Sequence, residues 1–244
     1  MALLGTLVNG LAIVIGSLLG LFWRNIPEKT KTTIMQAMGL AVMILGIGMG
    51  LKSKQFLIVI ASLAIGGVLG ERLDLEGKLS QLGFFLEKKL GGKEKGGIAN
   101  AFVTATLVFV IGAMSIVGAL DSGLRHDHAV LYTKALIDGF CAIFFTSALG
   151  VGVIFSAVPV LLYQGVIALF ATQIDRVVPA DLMKQMIVEI TGTGGIMILA
   201  IGLNILGITK IRVANLLPAL LFTIIIVCIV YYWDRLSGFA GSLI

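Results

Sequence analysis

Asp138 is the only charged side chain in the forty residues from Ala135 to Ile174. A charge at the centre of a bilayer costs about 2.5–3.5 kcal/mol on the insertion scale, so such residues usually serve an ion path, a proton relay or an ion pair. Six other polar side chains fall inside or at the ends of apolar stretches: Asn9, Asp121, Gln164, Glu189, Asn204 and Asn215. Carboxylate and amide oxygens can replace water around a cation. A carboxylate can also take up and release a proton in a relay. These seven residues are the candidate solute- or ion-binding set. Each has a plainer reading. Asp138 can pair with Lys134 one turn earlier. Asp121 can be a solvated helix end and Glu189 an interfacial carboxylate. Asn9 and Gln164 can form interhelical hydrogen bonds worth about 0.6–2 kcal/mol.

Two further motifs bear on chemistry. Gly192-Thr193-Gly194-Gly195 follows Glu189. Three glycines in four residues can unwind a helix and expose carbonyls to a solute, or permit close helix contact. Arg125-His126-Asp127-His128 has metal-ligand types near Asp121, but two histidines are weak evidence, and a solvated loop is the better reading. No Walker A, GxSxG or HExxH pattern occurs. The expectation is therefore no enzyme, no cofactor and no resident metal.

The elements that must position these residues are membrane spans. Hydrophobic residues make up 58% of the 244-residue chain and charged residues only 13%, against about 25% charged in soluble domains. The mean hydropathy is +1.07. Continuous apolar runs indicate an all-α, polytopic helical membrane protein rather than a barrel. Eight spans are expected, or seven if one fails: Leu3–Phe22, Ile34–Leu51, Phe56–Gly70, Ile98–Leu120, a hairpin bent near Ser156–Pro159, Met183–Ile208 and Leu216–Trp233. The third is short. The last ends in Tyr231-Tyr232-Trp233, an interfacial aromatic signature. No Lys or Arg precedes Arg24, so the first span reads as retained rather than as a signal peptide.

Residues 71–97 break the pattern. Leu75, Leu79, Leu82, Leu86 and Leu90 recur at helical spacing, with Lys78, Lys88, Lys89, Lys93 and Lys95 around them. This is an amphipathic helix, either on the membrane surface or packed on the protein's own face. With the N-terminus outside, inner loops hold eleven Lys and Arg and outer segments seven, which favours both termini outside. In that arrangement Asn9, Asp121, Asp138 and Glu189 lie toward one side, and Gln164, Asn204 and Asn215 toward the other. The net charge of +5 thus reflects topology, and no nucleic-acid partner is expected.

Met43-Ile44-Leu45-Gly46-Ile47-Gly48 matches Met197-Ile198-Leu199-Ala200-Ile201-Gly202 at five of six positions. Asn9-Gly10 falls against Gln164-Gly165, Pro27 against Pro179 and Gly39 against Gly192, all at offsets of 152 to 155 residues. The expected layout is 3+2+3. Residues 1–70 form one three-span copy, 98–156 the central pair and 157–244 an inverted second copy, all in one transmembrane domain. Inverted repeats recur in secondary transporters. Gly46/Gly50 and Gly66/Gly70 are small-xxx-small pairs, which suit packing or homodimer faces.

Three segments carry a family resemblance. They are Gly5-Thr6-Leu7-Val8-Asn9, the run from Gly112 to Gly123, and Ser147-Ala148-Leu149-Gly150-Val151-Gly152. The chain resembles the YqgA/YdfK-like family of uncharacterised bacterial inner-membrane proteins. The resemblance implies a multi-pass plasma-membrane location and supplies no substrate and no site residues. The expected function is a secondary transporter or exchanger of a small solute or ion, working through intramembrane carboxylates. A cation channel and a non-transporting dimeric scaffold remain as alternatives, and the lipid bilayer is the expected partner throughout.

Overall fold

The computed structural model describes residues 1–22, 27–90 and 97–241. Arg24, Lys93 and Lys95, counted above among the loop charges, lie outside the described residues. Eleven α-helices are present among the described residues, and no strand. They are α1 (Leu4–Phe22), α2 (Glu28–Gly50), α3 (Phe56–Leu73), α4 (Leu75–Leu90), α5 (Gly97–Val110), α6 (Ala113–Leu124), α7 (Ala129–Leu149), α8 (Ala157–Leu169), α9 (Ala171–Val177), α10 (Ala180–Ile205) and α11 (Pro218–Gly241). Short 3-10 turns, Val151–Ser156 and Val213–Leu216, lead into α8 and α11. Seven unbroken segments are long and apolar enough to cross a membrane, and α5 with α6 supplies an eighth as a bent pair.

Two expectations are corrected. The fourth span is not one helix: it breaks after Val110 and resumes at Ala113 with a bend of 62°. The hairpin turns at Gly150, not at Ser156–Pro159. Gly150 has φ 97 and ψ −169, a backbone region that essentially only glycine occupies. Ser156–Pro159 instead carries the 3-10 turn into α8, where Pro159 falls in the first helical turn and needs no amide partner.

The burial pattern is that of a protein solvated by lipid. On α1, Asn9 is 0% exposed while Leu11 and Ile15 are 59% and 55% exposed. Polar and small residues face the bundle and large apolar ones face outward, because lipid tails solvate leucine but not an amide. The amphipathic α4 packs on the protein's own face. Leu79 and Leu86 pack on the core and Gly83 sits against Ala99 of α5, whereas Leu82 and Phe85 stay exposed beside Lys89.

Glycines set the helix pairs. Antiparallel α2 and α10 meet with Gly39 against Leu206, Gly46 against Leu199 and Gly195, and Gly50 against Ile196. Antiparallel α3 and α11 meet with Gly66 against Ala219 and Gly70 against the Asn215 carbonyl. The small-xxx-small faces are thus occupied within the chain. The glycine-rich run of α10 is not unwound: the helix is continuous from Ala180 to Ile205, with Gly192 against Ser53 and Gly194 against Ile111. Close packing is the reading of the two that holds.

A Cβ at Gly46 would overlap the backbone of Leu199 and Gly195, whereas a Cβ at Gly48 would meet nothing within 4 Å. Gly46→Leu is expected to destabilise by at least the ~1–3 kcal/mol of an overpacked core and to lower the thermal unfolding midpoint in detergent. Gly48→Leu is expected to leave that midpoint close to the parent's.

Candidate functional site

The best-built polar cluster joins α1 to α7. On α1 the buried positions Gly5, Asn9, Ile13, Gly16 and Gly20 recur at helical spacing. The facing stripe of α7 holds Leu131, Lys134, Asp138, Gly139 and Ala142. Gly16 lies directly on the Gly139 carbonyl and Gly20 on the Ile143 carbonyl, so the two parallel helices approach backbone to backbone. That approach lets a short asparagine reach across. Asn9 Nδ2 donates to Asp138 Oδ2 at 3.1 Å. Lys134 Nζ donates to Asp138 Oδ1 at 2.9 Å and lies 2.8 Å from Oδ2. Lys134 and Asp138 are 7% and 4% exposed. The plainer sequence reading, an ion pair one turn apart, is therefore present, and Asn9 is added to it.

Among the described residues, Thr6 Oγ1, Asn9 Oδ1 and both amide atoms of Gln164 are buried without a hydrogen-bond partner, as are the hydroxyls of Ser17, Ser62, Thr106 and Thr146. Leaving such atoms buried and unpaired costs about 1–3 kcal/mol each. Thr6 and Asn9 share a face of α1. Packing of Gly10 on Leu161, and of Gly165 near Leu3, sets α8 antiparallel to α1. That register puts Gln164 at the level of the first turns of α1. Gln164 thus belongs with Asn9, not with Asn204 and Asn215 on the opposite side.

The remaining candidates are engaged elsewhere. Glu189, from α10, accepts from Ser53 Oγ at 2.5 Å and from the backbone amides of Lys54 at 2.9 Å and Gln55 at 3.1 Å. It ties down the loop residues 53–55 just before α3, satisfying backbone amides that no helix partner reaches. Asp121 ends α6, 3.8 Å from Arg125, in keeping with a helix-end role. Asn204 holds the 206–212 loop, donating to the Ile211 carbonyl and accepting from Thr209 and the Ile211 amide. Asn215 donates to Glu71 and accepts from the Glu76 amide, while Arg212 pairs with Glu71 at 2.6 Å. Glu189 and Asp121 share no hydrogen bond or ion pair with Asp138 among the described residues.

Several partners were missed in the sequence. Ser53, Glu71 and Glu76 lie in or beside short polar loops and carry no spacing signal. Ser122 is another: its hydroxyl donates to the Ala2 carbonyl at 2.6 Å and lies 2.8 Å from His128 Nδ1. His128 thereby ties the α6–α7 loop to the start of α1, which accounts for it structurally.

Comparison with known proteins agrees with this architecture. A family model described as a protein of unknown function, DUF554, matches residues 4–228. The chain belongs to that family. It is 36% identical over 232 residues to the uncharacterised membrane protein YdfK of Bacillus subtilis (strain 168), covering 93% of this chain and 96% of that one. It is 28% identical over 224 residues to the uncharacterised protein YqgA of Escherichia coli (strain K12), covering 89% and 93%. No solved structure matches.

Removing one member of a buried ion pair costs roughly 3–5 kcal/mol, because the other charge is left uncompensated, whereas replacing both with apolar groups is often neutral. Lys134→Met alone is therefore expected to lower the unfolding midpoint in detergent strongly. Lys134→Met combined with Asp138→Leu is expected to recover most of the loss.

Proposed function

We propose that this membrane protein is a secondary transporter or exchanger of a small solute or ion in the bacterial inner membrane, with Asp138 as its coupling carboxylate. The observation that carries the proposal is the buried Asn9–Asp138–Lys134 triad, bordered by the unpartnered Thr6 and Gln164. A carboxylate held by a mobile ammonium can exchange that partner for a proton, a cation or a substrate amine. The unpaired amide and hydroxyl atoms offer the added donors and acceptors that a polar solute needs.

An inverted repeat is part of the proposal. The Asn9–Gln164 pairing does not support it, because both residues lie toward one side where inverted mates would lie on opposite sides, but several local features of α2, α3, α10 and α11 do. Pro27 and Pro179 N-cap α2 and α10 with φ/ψ of −56/143 and −56/144. Leu51 and Leu206 C-cap the same helices with φ/ψ of −70/−9 and −73/−7. The α2–α10 contacts are reciprocal. Gly39 meets Leu206 and Gly192 meets Ser53, which is the same contact when each residue is exchanged for its mate 153 positions away. Gly46 meets Leu199 and Gly66 meets Ala219, and each of these pairs is itself separated by 153. A two-fold axis in the membrane plane produces that pattern, and transporter sites lie at such repeat interfaces. The scaffold alternative draws on Lys134, which already neutralises Asp138, but its proposed glycine faces are covered within the chain. The channel alternative draws on the same carboxylate.

The test uses liposomes holding the purified chain and a trapped pH dye, given sodium, potassium, amino-acid or organic-acid gradients in turn. A saturable, proton- or cation-linked signal is expected. Asp138→Asn is expected to abolish it while the protein still inserts. Normal flux in that variant would refute the carboxylate role, and flux that never saturates would favour a channel.

A further inference from the structure

A cavity of about 270 Å³ opens between the start of α3, the first turns of α10 and the middle of α11. A water molecule's share of liquid volume is roughly 30 Å³, so the space admits a group of several heavy atoms. Lys54, Lys184 and Gln55 bring polar heads to it. Ile58, Val227 and Val230 give it an apolar wall. Glu189 also lines it, but its oxygens already accept from Ser53 and two backbone amides, so its charge is directed at the α2–α3 loop. Among the described residues Lys184 pairs with Asp181, at 4.0 Å, and both side chains are about four-fifths exposed. A surface pair of that kind is weak and leaves Lys184 able to meet another anion.

A second observation fixes the depth of the cavity. Val230 directly precedes Tyr231-Tyr232-Trp233 on α11. Tyr and Trp collect at the headgroup level of a bilayer. Tyr232 and Trp233 are 47% and 71% exposed on the outside of the bundle, and Arg235 lies 5.8 Å from the Tyr231 ring. The next outward positions, Leu57, Ile225 and Ile229, are also exposed, as lipid-facing residues should be. The cavity therefore sits where phosphates lie, with lysines on its polar side and an aliphatic wall on its membrane side. The cavity near the other membrane face contrasts with it. That space, about 300 Å³, is lined by Glu76, Asn100, Thr104 and Asn204 among others, and by no lysine.

We propose that Lys54 and Lys184 hold the phosphate of a bilayer phospholipid in this cavity, with the start of its acyl chains against Ile58, Val227 and Val230. Anionic phosphatidylglycerol suits the two lysines better than a zwitterionic lipid does. The site does not depend on the transporter reading, because neither lysine touches the Asp138 triad.

The test is native mass spectrometry of the full chain released from nanodiscs of phosphatidylcholine containing phosphatidylglycerol. A retained phosphatidylglycerol is expected on the parent protein. Each basic residue near an anionic surface contributes about 1 kcal/mol. The double variant K54Q/K184Q should therefore retain the lipid about thirtyfold less, whereas K88Q/K89Q, on α4, should retain it as the parent does. Val188→Trp fills the cavity and keeps both lysines, so it is expected to lose the lipid too. Unchanged retention in K54Q/K184Q or in Val188→Trp would overturn the proposal. So would equal loss in K88Q/K89Q, which would mean diffuse charge attraction. Displacement of the lipid by millimolar inorganic phosphate would make this a free-anion site and would also overturn it.

Discussion

A charge inside a bilayer must be neutralised or hydrogen-bonded, and the way Asp138 meets that demand organises one half of the bundle. Its carboxylate takes Lys134 from its own helix and Asn9 from α1. The first contact is local and is available in any helix that carries lysine four residues before aspartate. The second is long-range and exists only because Gly16 and Gly20 let α1 lie on the α7 backbone. Burial energy alone does not explain that closeness, since lipid solvates apolar side chains as well as a neighbouring helix does. Small residues and polar pairing do the work that the hydrophobic effect does in water.

The other half follows the same rule with different residues. Glu189 is buried, and the backbone amides of Lys54 and Gln55, just before α3, together with Ser53 satisfy it. A carboxylate from α10 thus fixes the loop after α2, while Gly46, Gly50 and Gly195 bring α2 against α10. At the opposite membrane face Asn215, Glu71, Glu76 and Arg212 tie the start of α11 to α3 and α4. Most intramembrane polar groups are consumed in this way. The exceptions are Thr6, Asn9 Oδ1 and both amide atoms of Gln164, with the hydroxyls of Ser17, Ser62, Thr106 and Thr146; most of them, though not Ser62 and Thr106, lie on α1, α7 and α8.

Much of the architecture was legible in the sequence because the bilayer demands long apolar helices and tolerates few alternatives. The spans, the interfacial aromatic run and the amphipathic α4 all follow from that demand. The break at residues 111–112 was not legible, since the apolar run passes through it unbroken and a glycine in a lipid-facing helix is ordinary. The turn at Gly150 was mistaken for one near Pro159, because proline is the louder signal although it fits a first helical turn. Polarity and depth selected Asp138 and its partner Asn9. Depth also put Glu189 and Asp121 toward the same side, but neither bonds to Asp138, because sequence position gives a height in the membrane and not an angle around the bundle. Gln164 was put on the wrong side because the start of its span was set six residues too late, at Ala157 rather than at Val151.

The 2.8 Å contact between Lys134 and Asp138 holds this part of the fold as an ion pair only if Asp138 is ionised within the membrane. Infrared spectroscopy of the parent protein and of Asp138→Asn, recorded in the same lipid at neutral pH, tests it most directly. We expect the difference spectrum to show loss of an ionised carboxylate band, with no change in the protonated-carboxyl region. Loss of a protonated-carboxyl band instead would mean that Asp138 is neutral and that the ion pair does not hold this part of the fold.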